Sequence, residues 1–314
     1  MSEKYVVAVC TAKRPDLLRD CLLSLATMQR PDGAEFAIAV VENDSEPHSR
    51  STVEEVAAQT GTDIEYVQET RRGIPFARNK ALETCLAMNA SWIALIDDDE
   101  SARPDWLVKL VEACALYDAE VANGPVYRLY EREAPYWWKK QLLKPRETGT
   151  EITEAPTNNV LIASRIVAPD CLGLRFEEKL TNGAEDIDFF RRVHESGVKM
   201  IWADEAFVDE FIPASRVETG RLLNRLVMAA CSGTQMKVLR EGQWVAIRDH
   251  LPKAIRRLVF GSVSTLAGLP ARLLFGQSGG KILFYGITRV CKGWGNLKGL
   301  FGIVHSYYHK IDGQ

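Results

Sequence analysis

Apolar and polar positions alternate in two rhythms along the first hundred residues. Tyr5–Cys10, Phe36–Val41 and a shorter run around Ile64–Val67 are apolar, rich in β-branched residues and nearly unbroken, the pattern of strands covered on both faces of a sheet. Between them, Asp16 opens a stretch with Leu17, Leu18, Cys21, Leu22 and Leu25 at helical spacing. Thr52–Thr60 reads as a second helix and Phe76–Met88 as a third, entered through a loop marked by Gly73 and Pro75. A fourth apolar run, Trp92–Ile96, leads straight into Asp97, Asp98, Asp99 and Glu100. Strands alternating with helices of about 10 to 15 residues predict a doubly wound α/β unit around a mostly parallel sheet.

In such a sheet the loops that follow successive strands gather at one edge, where ligands sit. Those loops carry Thr11 and Arg14, then Glu42, Asn43 and Asp44, then Arg71 and Arg72, then the four acids. A nucleotide needs this mixture: an acid or amide for the base, acceptors for the ribose, and arginine with a metal for the diphosphate. Four adjacent carboxylates repel one another, so either a solvated turn or a bound cation keeps them there. Hard oxygen donors suit Mg²⁺ or Mn²⁺, which hold diphosphates through one or two carboxylates plus substrate oxygens. For the other loop residues the alternative is turn chemistry and helix capping, which Asn43, Asp44 and Ser45 supply readily. Neither G-x-G-x-x-G nor G-x-x-x-x-G-K-S/T follows the first strand, so a dinucleotide fold and a P-loop are unsupported.

Composition changes this picture in two places. The 314 residues are 46% hydrophobic with a net charge of −3, enough for one large α/β domain with an appendage and without a general nucleic-acid signature. The charge is uneven: Arg240–Gln314 holds 11 Lys/Arg against 3 Asp/Glu, which leaves −11 on the rest. A basic tail on an acidic body implies an anionic surface or partner, or simply solvated helices. The seven cysteines stand singly, without a C-x-x-C pair, as reduced core cysteines do. The N-terminus lacks a signal-peptide layout, no 18-residue run is uninterruptedly apolar, and the five histidines show no zinc spacing.

T-A-K-R-P (Thr11–Pro15), V-V-E-N-D-S (Val40–Ser45), R-G-I-P-F-A-R-N-K-A-L (Arg72–Leu82) and W-I-A-L-I-D-D-D-E (Trp92–Glu100), in this order, resemble the inverting family 2 glycosyltransferases of GT-A fold. The likeness is greatest to bacterial exopolysaccharide transferases of the succinoglycan-assembly type. It continues through G-P-V (Gly124–Val126), T-N-N-V-L (Thr157–Leu161) and G-A-E-D-I-D-F-F-R-R (Gly183–Arg192), and ends near Trp202–Glu210. The resemblance implies a D-x-D at Asp97 and Asp99, with Asp99 a direct metal ligand and Asp97, beside Asp98, nearer the ribose. It implies that Glu42 reads the nucleobase, where the family more often has Asp, and that Thr11 and Arg14 flank the nucleotide. Arg78 and Asn79 match an A-R-N signature that supports the nucleotide, and Asn158 and Asn159 return beneath the donor sugar. Asp186 matches the general base, with Glu185 orienting the acceptor or tuning it. Physically, an inverting transfer needs one carboxylate opposite the leaving diphosphate to take the acceptor's proton. As an alternative, E-D-I-D simply favours a helix N-terminus.

Tyr127–Gln141 is rich in aromatics, and Tyr136, Trp137 and Trp138 are candidates for an acceptor platform or lid, with core packing or a membrane-facing rim as alternatives. The Q-x-x-R-W motif of processive synthases is absent, which favours single-sugar addition. Arg221 and Arg225 are candidates for phosphate contact in its place. From His250 the chain changes character. Leu258–Ala271 is charge-free but interrupted by Gly261, Gly268 and Pro270, and Ile282–Ile287 is a shorter apolar stretch. With Lys/Arg margins and Trp294, Tyr307 and Tyr308 nearby, these suit helices lying in a lipid interface, too short to span. A subunit interface, for instance in a homodimer, or helices packed back on the catalytic domain are the competing readings. The expected organisation is a GT-A domain over 1–245, with a nucleotide-binding half to about 125 and an acceptor half from about 126. A helical, membrane-associating or oligomerising extension over 246–314 follows it. The expected activity is transfer of one hexose from a UDP-sugar to a lipid-linked glycan, peripheral on the cytoplasmic face of the membrane, with Mn²⁺ or Mg²⁺. A sugar-phosphate nucleotidylyltransferase or a non-catalytic glycan-binding subunit are the alternatives. The former would be expected to show a glycine-rich first loop, which is missing after Cys10.

Overall fold

The apolar runs form the strands expected of them. In chain order the first half comprises β1 (Lys4–Thr11), α1 (Pro15–Thr27), β2 (Glu35–Glu42), α2 (Arg50–Thr60), β3 (Ile64–Gln68), α3 (Ile74–Ala87) and β4 (Trp92–Asp97). Next come β5 (Glu100–Ala102), α4 (Trp106–Tyr117), β6 (Val121–Asn123), β7 (Val126–Tyr130) and β8 (Asn159–Ala163). After these lie α5 (Glu185–Glu195), β9 (Met200–Trp202) and β10 (Val208–Ile212), and finally α6 (Thr219–Glu241), α7 (Gln243–Phe275) and α8 (Gln277–Leu300). This computed structural model describes residues 3–138, 146–181 and 183–303, so Tyr307, Tyr308 and Lys139–Gln141 of the aromatic stretch lie outside the described residues.

The main sheet has seven strands in the order β3-β2-β1-β4-β8-β6-β9. β1, β2, β3 and β4 run parallel, while β8 is antiparallel to both β4 and β6. Strand residues alternate between two cores. Tyr5, Val7 and Val9 pack with Leu18 and Leu22 of α1, Val53 and Val56 of α2 and Trp106 and Leu110 of α4. Val6 and Ala8 pack on the other face with Ala77 and Leu82 of α3 and Phe189 and Phe190 of α5. Helices on both faces force both sides of each strand to be apolar, which is why the runs are unbroken rather than alternating. A smaller sheet, β5-β10-β7, stands against the carboxyl end of β4.

The C-terminal part differs from the expected interrupted segments. Gly261, Gly268, Pro252 and Pro270 all lie within one 33-residue helix, α7. α8 returns antiparallel along it: a Cβ on Gly261 would come within 2.9 Å of the Val290 backbone nitrogen, and one on Gly293 within 2.9 Å of Leu258. Likewise, side chains at Gly268 and Gly286 would meet the backbone of Leu283 and Thr265. The glycines therefore mark the seam where two helix backbones approach closely, not breaks. α7 is long and apolar enough to cross a membrane by length and composition, and 11% of its most apolar stretch is buried. The interruptions counted along the sequence thus understated the helix. The lower half of the hairpin packs on α6: Gly295 and Gly299 of α8 lie against the Val227 and Cys231 backbone, and Asn296 donates to Thr234 at 2.8 Å.

Candidate functional site

Because the first four strands to enter the main sheet are parallel neighbours, the ends of their runs lie side by side. Thr11 is level with Glu42, Glu42 with Gln68, and Cys10 with Asp97. The four acids after β4 land among arginines from distant segments. Asp98 is buried and accepts from Thr11 Oγ1 at 2.7 Å, with Arg14 Nη1 at 3.2 Å. The same Arg14 nitrogen donates to Asp99 Oδ2 at 3.2 Å, and Arg216 pairs with Asp99 and lies 3.5 Å from Glu210. Glu100, also buried, turns back to accept the Asp97 backbone N–H at 3.1 Å and the Asn158 side-chain amide at 2.8 Å. The side chain of Asp97 is 46% exposed against 9% for Asp99, so Asp97 is the open donor and Asp99 the one backed by arginines. Although its carboxylate reaches solvent, the protein packed around it pushes Asp97 up to about 7 against the pull of Arg78, and repulsion from Asp99, Asp98 and Glu210 adds to the rise. Burial likewise pushes Asp98 up to about 6, with Arg14 opposing, and burial beside Asp97 raises Glu100. The site holds more carboxylate than its arginines neutralise.

Arg78 joins this group to the second acidic segment. Its guanidinium pairs with Glu185 and lies 3.9 Å from Asp97. Burial alone would loosen the Arg78 proton, but Glu185, Asp97 and Asp186 hold it more firmly. The Glu185 carboxyl is itself raised, by burial first and with Arg78 opposing. Gly183 (φ 106) and Ala184 (φ 71) turn the chain sharply before α5. An alanine in the left-handed region costs about 1–2 kcal/mol, and such strain concentrates where a side chain must be aimed. The turn sets Glu185 and Asp186 in the first helical turn, where the N-terminal dipole favours negative charge. Asp186 Oδ1 accepts the Ile187 N–H at 2.8 Å. Among the described residues Glu185 Oε2, Arg14 Nε, Asn158 Oδ1, Thr157 Oγ1 and Ser164 Oγ are buried with no hydrogen-bond partner. Buried polar groups are rarely left so, and three of these five side chains contact the acidic crevice through their other atoms.

Other residues expected at the ligand have structural partners instead. Glu42 is fully buried and accepts from Ser49 N at 2.8 Å, Ser49 Oγ at 3.1 Å and Tyr66 Oη at 2.7 Å, bonds that anchor the loop after β2. Asn43 braces the loop after β3, donating to the carbonyls of Glu69 (2.9 Å) and Arg71 (2.7 Å) and accepting from Gly73 N at 2.9 Å. Asp44 lies 3.3 Å from Lys13 and 3.5 Å from Arg72. Burial raises it, but the Glu46 N–H and the Lys13 ammonium outweigh that and hold it low. Arg71 pairs outward with Glu69 and Glu178. Asn159 is completely buried at the start of β8, where its side chain accepts from Trp106 Nε1 at 2.7 Å and donates to the carbonyls of Pro125 and Ala206. Of the T-N-N pair only Asn158 reaches the acids. Asn79 similarly ties α3 to the Phe176 backbone in both directions.

Arg216 and Glu210 were missed. Arg216 sits in a short 3-10 turn over Ala214–Val217 with no local motif, and only the pairing of β10 with β5 brings it to Asp99. It, and not the exposed Arg225, reaches the acids. The aromatic candidates pack on the C-terminal hairpin: Trp137 stacks on Phe284 of α8 (centroids 4.5 Å, planes 3° apart), with Tyr136 edge-on to Phe284 and Trp138 edge-on to Trp137. A separate cavity of about 510 Å³, near Tyr5, Gln29 and Asp32, lies at the opposite end of the strands from the acids.

Glycosyl transferase family 2 is the family whose model matches residues 6–180, more than half of the chain. The chain belongs to that family. It is 34% identical over 223 residues to the succinoglycan biosynthesis protein ExoM of Rhizobium meliloti (strain 1021), covering 70% of each. In fold it is similar to the mannosyltransferase PcManGT of Pyrobaculum calidifontis, solved with GDP-Man and Mn²⁺ (TM-score 0.62, 15% identity, 96% and 88% covered). It is also similar to S. aureus TarS 1–349 solved with UDP-GlcNAc (TM-score 0.53, 15% identity, 99% and 95% covered). The chain spans about half, 54%, of the longer TarS chain. The architecture is therefore GT-A-like with a helical C-terminal extension, and the nucleotidylyltransferase alternative falls away. Among the described residues no three His, Cys, Asp or Glu side chains converge as a ready-made metal cage. The residues present nonetheless fit a hard divalent ion of the kind held by one or two carboxylates plus substrate oxygens: an open Asp97, Asp99 behind it, and an excess of acid.

Proposed function

We propose that this family 2 transferase moves a single hexose from a nucleotide diphosphate sugar, a UDP-sugar, to a growing lipid-linked exopolysaccharide with inversion. The reading divides the chain into a catalytic unit over 1–245 and a membrane-associating extension over 246–314. The observation that carries it is the Arg78 bridge, which links Asp97 to Glu185 and so sets the two acidic groups in one crevice. Asp97 and Asp99 would hold Mn²⁺ or Mg²⁺, which when bound supplies positive charge to the departing diphosphate. Arg14 and Arg216, already against Asp99, offer the same charge from the protein. Asp186 takes the proton of the acceptor hydroxyl as its oxygen attacks the anomeric carbon and the bond to the diphosphate breaks. Glu185, held by Arg78 and with one oxygen unpartnered, orients that hydroxyl. One base suffices here, unlike glycoside hydrolysis with its two carboxylates. The likeness to a succinoglycan biosynthesis protein supports a polysaccharide acceptor, and the extension supports work at the cytoplasmic membrane face. Spanning is disfavoured. Arg272, Lys281, Arg289 and Lys292 lie in the distal hairpin, and each costs about 2.5–3.5 kcal/mol at a bilayer centre.

Two substitutions test the roles. Asp186→Asn should lower transfer by about 10²–10⁴-fold with UDP affinity close to wild type, and a variant that keeps most of its turnover removes Asp186 as base. Asp99→Ala should weaken Mn²⁺-dependent UDP binding in calorimetric titration, whereas an unchanged isotherm rejects it as a ligand.

A further inference from the structure

The distal half of the α7–α8 hairpin stands clear of α6 and presents large apolar side chains outward. Val259, Phe260, Val263, Leu266, Leu273 and Leu274 are between 54% and 88% exposed. These residues do not support the hairpin itself, since the seam between the helices is made by Gly261, Gly268, Gly286 and Gly293. Charge identifies what covers them. From His250 to Ile303 there is no Asp or Glu, while Lys253, Arg256, Arg257, Arg272, Lys281, Arg289, Lys292 and Lys298 supply eight cations. Among the described residues Arg256, Arg272, Lys281, Arg289 and Lys292 make no ion pair. Exposed apolar side chains on α7, with unpaired cations along the same hairpin, complement a bilayer surface bearing anionic headgroups.

We infer that the α7–α8 hairpin lies on its side on an anionic lipid surface, with the outward face of α7 in the interface. This deepens the membrane part of the proposed function and is independent of the transfer chemistry. Orientation follows from the charges nearest the turn. Arg272 precedes it by only a few residues and Lys281 follows it closely, so tip-first insertion would carry two cations into hydrocarbon with no acid to pair. Lying flat lets their stems cover apolar surface while the heads reach phosphate. The catalytic part is tied to this platform. Trp137 stacks on Phe284, Gly280 makes room for the Tyr136 hydroxyl, and α6 grips the proximal hairpin through Asn296 and Gly299. The segment that follows β7 is thereby held beside the lipid surface.

Flotation of the full chain with vesicles tests this without any nucleotide or acceptor. With phosphatidylcholine containing about one-third phosphatidylglycerol, the wild type should float. With phosphatidylcholine alone, or at raised salt, partition should fall at least tenfold. Val263→Glu combined with Leu266→Glu, both at exposed positions, should lose at least tenfold while the thermal unfolding midpoint is retained. Arg289→Glu combined with Lys292→Glu should do the same, and decides the matter alone if the first pair does not fold. Equal partition onto both vesicle types, no flotation, or variants that float like wild type would overturn the inference. So would a lipid-free dimer in sedimentation that the Val263→Glu/Leu266→Glu pair dissociates, since a second copy would then cover the face.

Discussion

The crevice at the ends of β1–β4 and the α7–α8 hairpin handle charge in opposite ways. In the crevice Asp97, Asp98, Asp99 and Glu100 are gathered within four residues, and Arg14, Arg78 and Arg216 are brought to them from positions far apart in the chain. Their neutralisation is tertiary and incomplete, and repulsion adds to the burial that holds Asp97 and Asp98 well above ordinary carboxylates. From His250 to Ile303 the hairpin has cations but no acid, and its two helices approach most closely at glycines. One region concentrates opposite charges so that a substrate can replace a partner. The other leaves one sign unpaired, which is what the proposed anionic surface would meet.

Four changes break or sharpen this contrast. Arg78→Met removes the cation between the two acidic groups and leaves Glu185 buried without a partner, so it should cost about 3–5 kcal/mol in denaturant unfolding and lower UDP affinity as well. Asn159→Ala orphans Trp106 Nε1 and two backbone carbonyls. It should cost about 2–4 kcal/mol yet leave UDP affinity of the folded protein unchanged, and a large affinity loss would return Asn159 to the ligand. Gly286→Leu drives a side chain into the backbone of α7 and should cost about 1–3 kcal/mol, with faster amide exchange confined to α7 and α8.

The smallest effect concerns His250, which sits between Thr234 of α6 and Asn296 of α8 with Lys237, Asp249, Lys253 and Arg257 around it. Burial lowers its value below the usual 6.5, and Lys253 and Lys237 add to the effect. The unfolded chain therefore takes up this proton at a higher pH than the folded one. Stability is complete above about 6.5 and declines as pH falls through that value. His250→Gln should flatten the fall in unfolding free energy between neutral and mildly acid pH. Parallel wild-type and variant curves would show that the histidine is not responsible.

Much of the nucleotide half was legible because it rests on local pattern. Apolar runs of strand length and helical periodicity gave β1 to β4 and α1 to α3 with ends close to those observed. Parallel order then placed Thr11, Glu42 and Asp97 at one edge. Which of these side chains bond within the protein was not legible. Glu42 and Asn159 carry the residue types a nucleotide site needs, but burial turns both toward the protein's own hydrogen-bond partners.

What the sequence alone determined is the alternation of strands and helices, the two acidic segments and the sign of the tail, because periodicity and charge are properties of neighbouring residues. Tertiary structure alone decided that Arg78 joins those acids and that Arg216 reaches Asp99 from a turn without a motif. It also decided that Gly261 and Gly268 sit in the seam of one long helical hairpin instead of ending a helix. Each of these depends on which distant backbone lies within a few ångströms, and no local pattern encodes that distance.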